Sequence, residues 1–103
     1  MKMLYFAVAA DNATAYPVSA LRGIDTSANK LHLYFSPQRI TDVAATDNVD
    51  KVQLSVGADE SIALQNVIEA MNMNAAPFVV ISDSEKGKHV VGVTACDSIT
   101  YAT

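Results

Sequence analysis

Residues 59–74, DESIALQNVIEAMNMN, form the one convincing helical stretch in this chain, and the rest is organised around it. Leu64, Val67, Ile68 and Met71 recur at i, i+3, i+4 and i+7, the spacing of one helical face. Ala63 and Ala70 widen that stripe, and Gln65, Glu69 and Asn72 fall on the opposite side. Asp59 suits the N-cap, where a carboxylate accepts a bond from an unpaired first-turn N–H, and Glu60 adds charge of the sign a helix N-terminus favours. Asn74 tolerates the left-handed conformation that ends a helix, and Pro77 cannot continue one. Ile62 and Met73 sit on the otherwise polar side, which marks them as candidate contacts with a neighbouring molecule. A single amphipathic helix must lay its apolar face on a sheet.

Both flanks read as strand and turn. Before the helix, residues 51–56 alternate, with Val52, Leu54 and Val56 inward, and Gly57 and Ala58 turn the chain. After it come a β-rich apolar run at 78–82, a hairpin turn at 83–88 containing Gly87, a returning strand at 89–95 and a last short strand carrying Ile99 and Tyr101. Further back, 30–36 is the clearest strand, with Leu31, Leu33 and Phe35 alternating with His32, Tyr34 and Ser36. It is expected to pair as an antiparallel hairpin with a strand at 16–24, across a polar turn at 25–29. Pro17 supplies no N–H and belongs at a strand start or edge, and Gly23 permits a bulge. The first strand, 3–9, is apolar on both faces, so both are expected to be covered, one of them by another subunit; a turn follows at 11–14. Residues 36–50 are irregular, with Pro37 breaking the strand, a short edge strand at 39–41 and a loop at 45–50. The expected class is mainly β (α+β), a single domain with one helix packed on a sheet.

The chain has 103 residues, half of them hydrophobic and 17% charged, against about a quarter charged in an ordinary soluble domain. The thin polar cover points to a buried subunit interface. A net charge of −4 is no electrostatic footprint for nucleic acid. The lone Cys96 cannot form an intrachain disulfide and reads as a small apolar strand residue. The opening MKMLYFAVAA reads as a strand rather than a secretion signal, and no stretch approaches the roughly 18 apolar residues of a membrane span. The Asn12-Ala13-Thr14 sequon is read only as part of a turn.

No catalytic or cofactor motif stands out. His32 and His89 are the only histidines, too few for a zinc set with a single cysteine. No serine lies in a G-x-S-x-G elbow, no glycine-rich phosphate loop is present, and Asp42, Asp47 and Asp50 do not match a calcium-loop spacing. Neither a catalytic residue, a metal ligand nor a cofactor site is therefore assigned. Tyrosines and arginines are the best material for a binding face, since both types serve protein interfaces and nucleic-acid contacts alike. Met3, Tyr5, Ala7, Tyr34, Ile62 and Met73 are the candidate oligomer contacts; Tyr16, Arg22, Arg39, Lys86 and Lys88 are the candidate nucleic-acid contacts. The negative net charge favours the first set.

The order YPVSALRGI (16–24), LHLYF (31–35), VQLSV (52–56), an acidic helix start, VIEAMN (67–72) and a final hairpin resembles small proteins of marine cyanophages and ocean metagenomes. That group is similar in fold to Sm-like proteins. The resemblance implies a small, strongly bent antiparallel β-barrel or sheet of about five to seven strands that closes into rings. It implies a homo-oligomer with strands pairing across subunits. With no catalytic constellation and with excess apolar surface, the expected function is a non-catalytic structural or scaffold module of phage origin, in the host cytoplasm or the virion, with itself and other virion proteins as partners. The resemblance carries, as the alternative, an Sm-like ring that binds single-stranded RNA or DNA. Two departures stand out. In Sm proteins the helix precedes the barrel, whereas here it follows the 51–56 strand, and Arg22-Gly23, which resembles the Arg-Gly of an Sm loop, falls in the second strand. No RNA-binding residue is carried over from that family.

Overall fold

A computed structural model describes residues 2–37, 49–57, 59–73 and 78–100. In chain order the elements are β1 (Met3–Ala9), β2 (Asn12–Pro17), a 3-10 turn (Val18–Ala20), β3 (Leu21–Ser27), β4 (Lys30–Phe35), β5 (Asp50–Val56), α1 (Glu60–Met73), β6 (Phe78–Asp83), β7 (Lys88–His89) and β8 (Val93–Thr100). The fold is mainly β, with one helix packed on two four-stranded sheets, β2-β1-β6-β7 and β3-β4-β5-β8. Among the described residues neither sheet closes into a barrel. The expectation of an all-antiparallel arrangement of five to seven strands is also corrected, because β1 and β6 run parallel, with Met3 beside Phe78 and Tyr5 beside Val80. Parallel neighbours need a long connection. Here it runs through β2 and three strands of the second sheet, β3, β4 and β5, and returns by α1.

Period-two alternation decides what each strand buries. Leu31, Leu33 and Phe35 of β4 have no exposed surface, nor do Val52 and Leu54 of β5. Each such side chain contributes roughly 1.5–3 kcal/mol by leaving water. Leu4 and Phe6 of β1 and Val79 and Ile81 of β6 face them from the first sheet. Aromatic contacts join the layers, with Phe35 edge-on to Phe6 at 5.8 Å and stacked on Tyr16 at 4.2 Å.

The predicted strand at 16–24 is two strands in two different sheets. Pro17 ends β2, Val18 donates its N–H to Lys2 O at 3.0 Å, and the 3-10 turn carries the chain across to β3. The bulge expected near Gly23 is present, as a register shift between Leu21 and Gly23 against β4. The turn expected at 11–14 is tighter, with β2 already under way at Asn12, and that at 25–29 shrinks to Ala28 and Asn29. Both of these residues have positive φ, as a two-residue hairpin with a primed turn requires. The strand predicted at 89–95 breaks at Val91–Gly92, where Gly92 has φ +97°, and β8 then runs unbroken to Thr100.

The helix keeps its expected limits to within a residue at each end. Asp59 caps it, accepting the Ile62 N–H at 3.2 Å and the Ser61 hydroxyl at 2.8 Å. These two bonds hold its carboxyl below the ordinary range. Glu60 accepts the Asn29 N–H at 2.6 Å, tying the helix start to the β3–β4 turn, and Lys2 Nζ donates to the Met71 carbonyl near the other end. The buried stripe is Ala63, Val67 and Met71, rotated from the expected one, and Ile68 is 41% exposed. Ala63 packs against the turn that precedes β8. A β-carbon built on Gly92 would lie 3.0 Å from Ala63 Cα, so the 91–92 turn lies hard against this small residue. The expected short strand at 39–41, residues 45–48 of the loop expected at 45–50, Asn74, Pro77 and Tyr101 lie outside the described residues, and Asp50, expected in that loop, instead opens β5.

Candidate functional site

Alternation that sends Leu4 and Phe6 inward sends Met3 and Tyr5 out, and in β6 it leaves Phe78 and Val80 on the same outer face of the first sheet. The Tyr5 and Phe78 rings meet at 5.3 Å, tilted by 51°. Phe78 is 51% exposed, a large apolar side chain at the surface. Beside this pair lies an open depression of about 320 Å³, lined by Tyr5, Phe78, Val80, Asp83, Lys86 and Lys88. The β6–β7 hairpin delivers the charged end. Asp83 is almost buried, and its Oδ1 accepts the Glu85 and Lys86 N–H groups at 3.1 Å each, which fixes the turn that presents both lysines. The result is an apolar floor with two exposed ammonium groups and one tethered carboxylate at its rim.

The structure sorts the sequence candidates. Met3, Tyr5, Lys86 and Lys88 share this face or its rim. Tyr34 lies in the second sheet, where its hydroxyl donates to Asp25 at 3.2 Å. Burial, then the Asp25 charge and that hydrogen bond, raise its phenol above the ordinary value. Arg22 is exposed on β3, in the same sheet as Tyr34 and apart from the lysines. Ile62 is half exposed at the helix start. Two candidates are corrected. Tyr16 has no exposed surface, stacks on Phe35 and donates to the buried Asp50 at 2.8 Å, so it is core and offers no face to a base. Ala7 is likewise buried, 1% exposed, paired with Asp83 of β6 and next to the register shift between β1 and β2. Arg39 and the Met73 side chain lie outside the described residues. Sequence reasoning missed Phe78 and Val80, although their alternation with Val79 and Ile81 carried the signal.

Two polar clusters lie elsewhere. Asp97 accepts bonds from Lys30 Nζ at 2.6 Å, from the Ser55 hydroxyl at 2.7 Å and from Gln53 Nε2 at 3.4 Å. Ser82 Oγ and His89 Nδ1 are 2.7 Å apart across the β6–β7 hairpin, a nucleophile beside a base. Ser82 is fully buried, so in this arrangement no substrate reaches its hydroxyl. Cys96 is 3% exposed, and burial, then Asp97 and Asp83, push its thiol up to about 12. Such a group is a poor nucleophile. Among the described residues no three His, Cys, Asp or Glu side chains gather to hold a metal; Asp42 and Asp47 lie outside them. No described helix is long and apolar enough to cross a membrane.

No family model, curated protein or solved structure matches this chain. The reading of its function therefore rests on the outer face of the first sheet.

Proposed function

We propose that this chain is a non-catalytic, self-associating structural module, a virion accessory or ring-forming scaffold subunit of phage origin working in the host cytoplasm or the virion. The outer face of the first sheet is the surface through which copies join. One observation carries the reading: Phe78 stands half exposed against Tyr5 beside an open depression, in register with Met3 and Val80. Aromatic and methionine side chains at the centre of a patch, with charge kept to its rim, match the anatomy of subunit interfaces. The low charged fraction, 17%, agrees with a chain that hides surface against its own kind. Light scattering at tens of micromolar tests it. The wild type is expected as a multimer and Phe78→Lys as a monomer; a monomeric wild type overturns the proposal.

A second reading is favoured by Lys86 and Lys88 lying at the end of the Tyr5–Phe78 pair. Rings can stack bases while ammonium groups meet phosphates, as in an Sm-like ring on single-stranded RNA or DNA. The net charge of −4 and Asp83 in the same depression weigh against it. Anisotropy of labelled oligo-dT and oligo-U decides: binding at low salt that fades as salt rises supports it, and none at low salt removes it.

A further inference from the structure

A second apolar feature lies outside that face. Val91 is 78% exposed in the turn between β7 and β8, and Ile62, in the first turn of α1, is 50% exposed. Asn66, one turn further along the helix, donates its side-chain amide to the Val91 carbonyl at 2.9 Å. Val93 N–H bonds Val90 O at 2.9 Å, and Gly92 rests on Ala63. The corner is thus a braced projection, and presenting Val91 costs little further ordering. Its surroundings are acidic, since Asp59 and Glu60 open the same helix. The Tyr5–Phe78 depression has the opposite character, recessed and flanked by Lys86 and Lys88.

Resting on the self-association proposed above, we infer that copies join head to tail: the Ile62–Val91 corner of one copy seats in the Tyr5–Phe78 depression of the next. Apolar side chains meet an apolar floor, and Asp59 and Glu60 approach Lys86 and Lys88. Opposite charges around an apolar contact fix its orientation and speed encounter. A contact between two unlike surfaces is heterologous, so each copy keeps one of each free and assembly continues into a ring or a filament. A face-to-face contact between two depressions would instead bring the lysine rims together and stop at a dimer.

Complementation tests this. One variant carries Ile62→Lys and Val91→Lys; the other carries Lys86→Glu, Lys88→Glu and Phe78→Lys. Each alone is expected as a monomer by light scattering, while an equimolar mixture forms a one-to-one dimer that grows no further. The intact corner of one variant then fills the intact depression of the other. If the corner variant assembles as fully as wild type, or the mixture stays monomeric, the head-to-tail arrangement is overturned while self-association stands. A monomeric wild type overturns both. Thermal melts by circular dichroism confirm that each variant folds. Should the lysine pair unfold the corner, Val91→Ser at the exposed turn replaces it, with at least a tenfold weaker association expected and an unchanged one overturning the inference.

Discussion

Ala28 takes φ +51° and Asn29 φ +64°, and the two make the whole β3–β4 turn. Asparagine accepts that conformation readily, whereas alanine meets its own β-carbon against the backbone, at a cost of about 1–2 kcal/mol. Ala28→Gly is therefore expected to stabilise the fold by about 1 kcal/mol, less the extra freedom glycine gives the unfolded chain, seen as a higher urea midpoint. Gly92 is the mirror case. Its φ of +97° is a conformation side chains rarely adopt, and a β-carbon there would press to 3.0 Å from Ala63 Cα, so the helix would have to yield by a few tenths of an ångström. Gly92→Ala should destabilise by about 1–3 kcal/mol, lowering the same midpoint. An unchanged midpoint would mean that the helix is not held by that turn. Both glycine-like positions were hard to see beforehand, because an Ala-Asn pair is not the usual hairpin signal and Gly92 sits inside an otherwise apolar run.

At the scale of elements, β4, β5 and β8 are joined on their outer side by polar contacts. Burial alone would raise the Asp97 carboxyl; bonds from Lys30, Ser55 and Gln53 and the Lys30 charge more than offset it, leaving the group below its ordinary 3.8. A folded-state value below the unfolded one stabilises fully above the unfolded value, and that stabilisation is lost as pH falls through the folded one. Asp97→Asn should cost at most about 1 kcal/mol near neutral pH, since the Lys30 pair is partly exposed and screened. Its loss of stability in acid should also be shallower than the wild type's, which denaturant titrations at stepped pH values would show. Alternation in residues 51–56 made β5 readable, and the residues facing outward from it, Gln53 and Ser55, were readable with it. That Lys30 and Asp97 meet was not, because they come from strands separated by β5.

For the molecule as a whole, Ser84 is one polar link between the sheets, beside the Tyr16–Asp50 bond. Its N–H donates to Ala7 O at 2.9 Å, and its hydroxyl accepts the Cys96 N–H at 2.8 Å and donates to the Cys96 carbonyl at 3.3 Å. Cys96 is buried behind that link, so a thiol reagent should label it only as the two sheets part. Its labelling rate is expected to follow global unfolding through a urea series; rapid labelling of the native protein would show that the layers open locally. Local periodicity by itself determined the strand character, the inward sets Leu31-Leu33-Phe35 and Val52-Leu54-Val56, and the capped helix, because side-chain direction repeats every two residues in a strand and every 3.6 in a helix. Only the tertiary structure decided which sheet each strand joins, that β1 lies parallel to β6, and that Tyr5 and Phe78 share a face while Tyr16 does not. The physical reason is that alternation states which side of a strand is apolar but says nothing of the neighbour across the hydrogen bonds. That neighbour is set by long-range packing of the finished core and by the turns at Val18–Ala20 and Val91–Gly92, where the backbone leaves the pattern its side chains suggest.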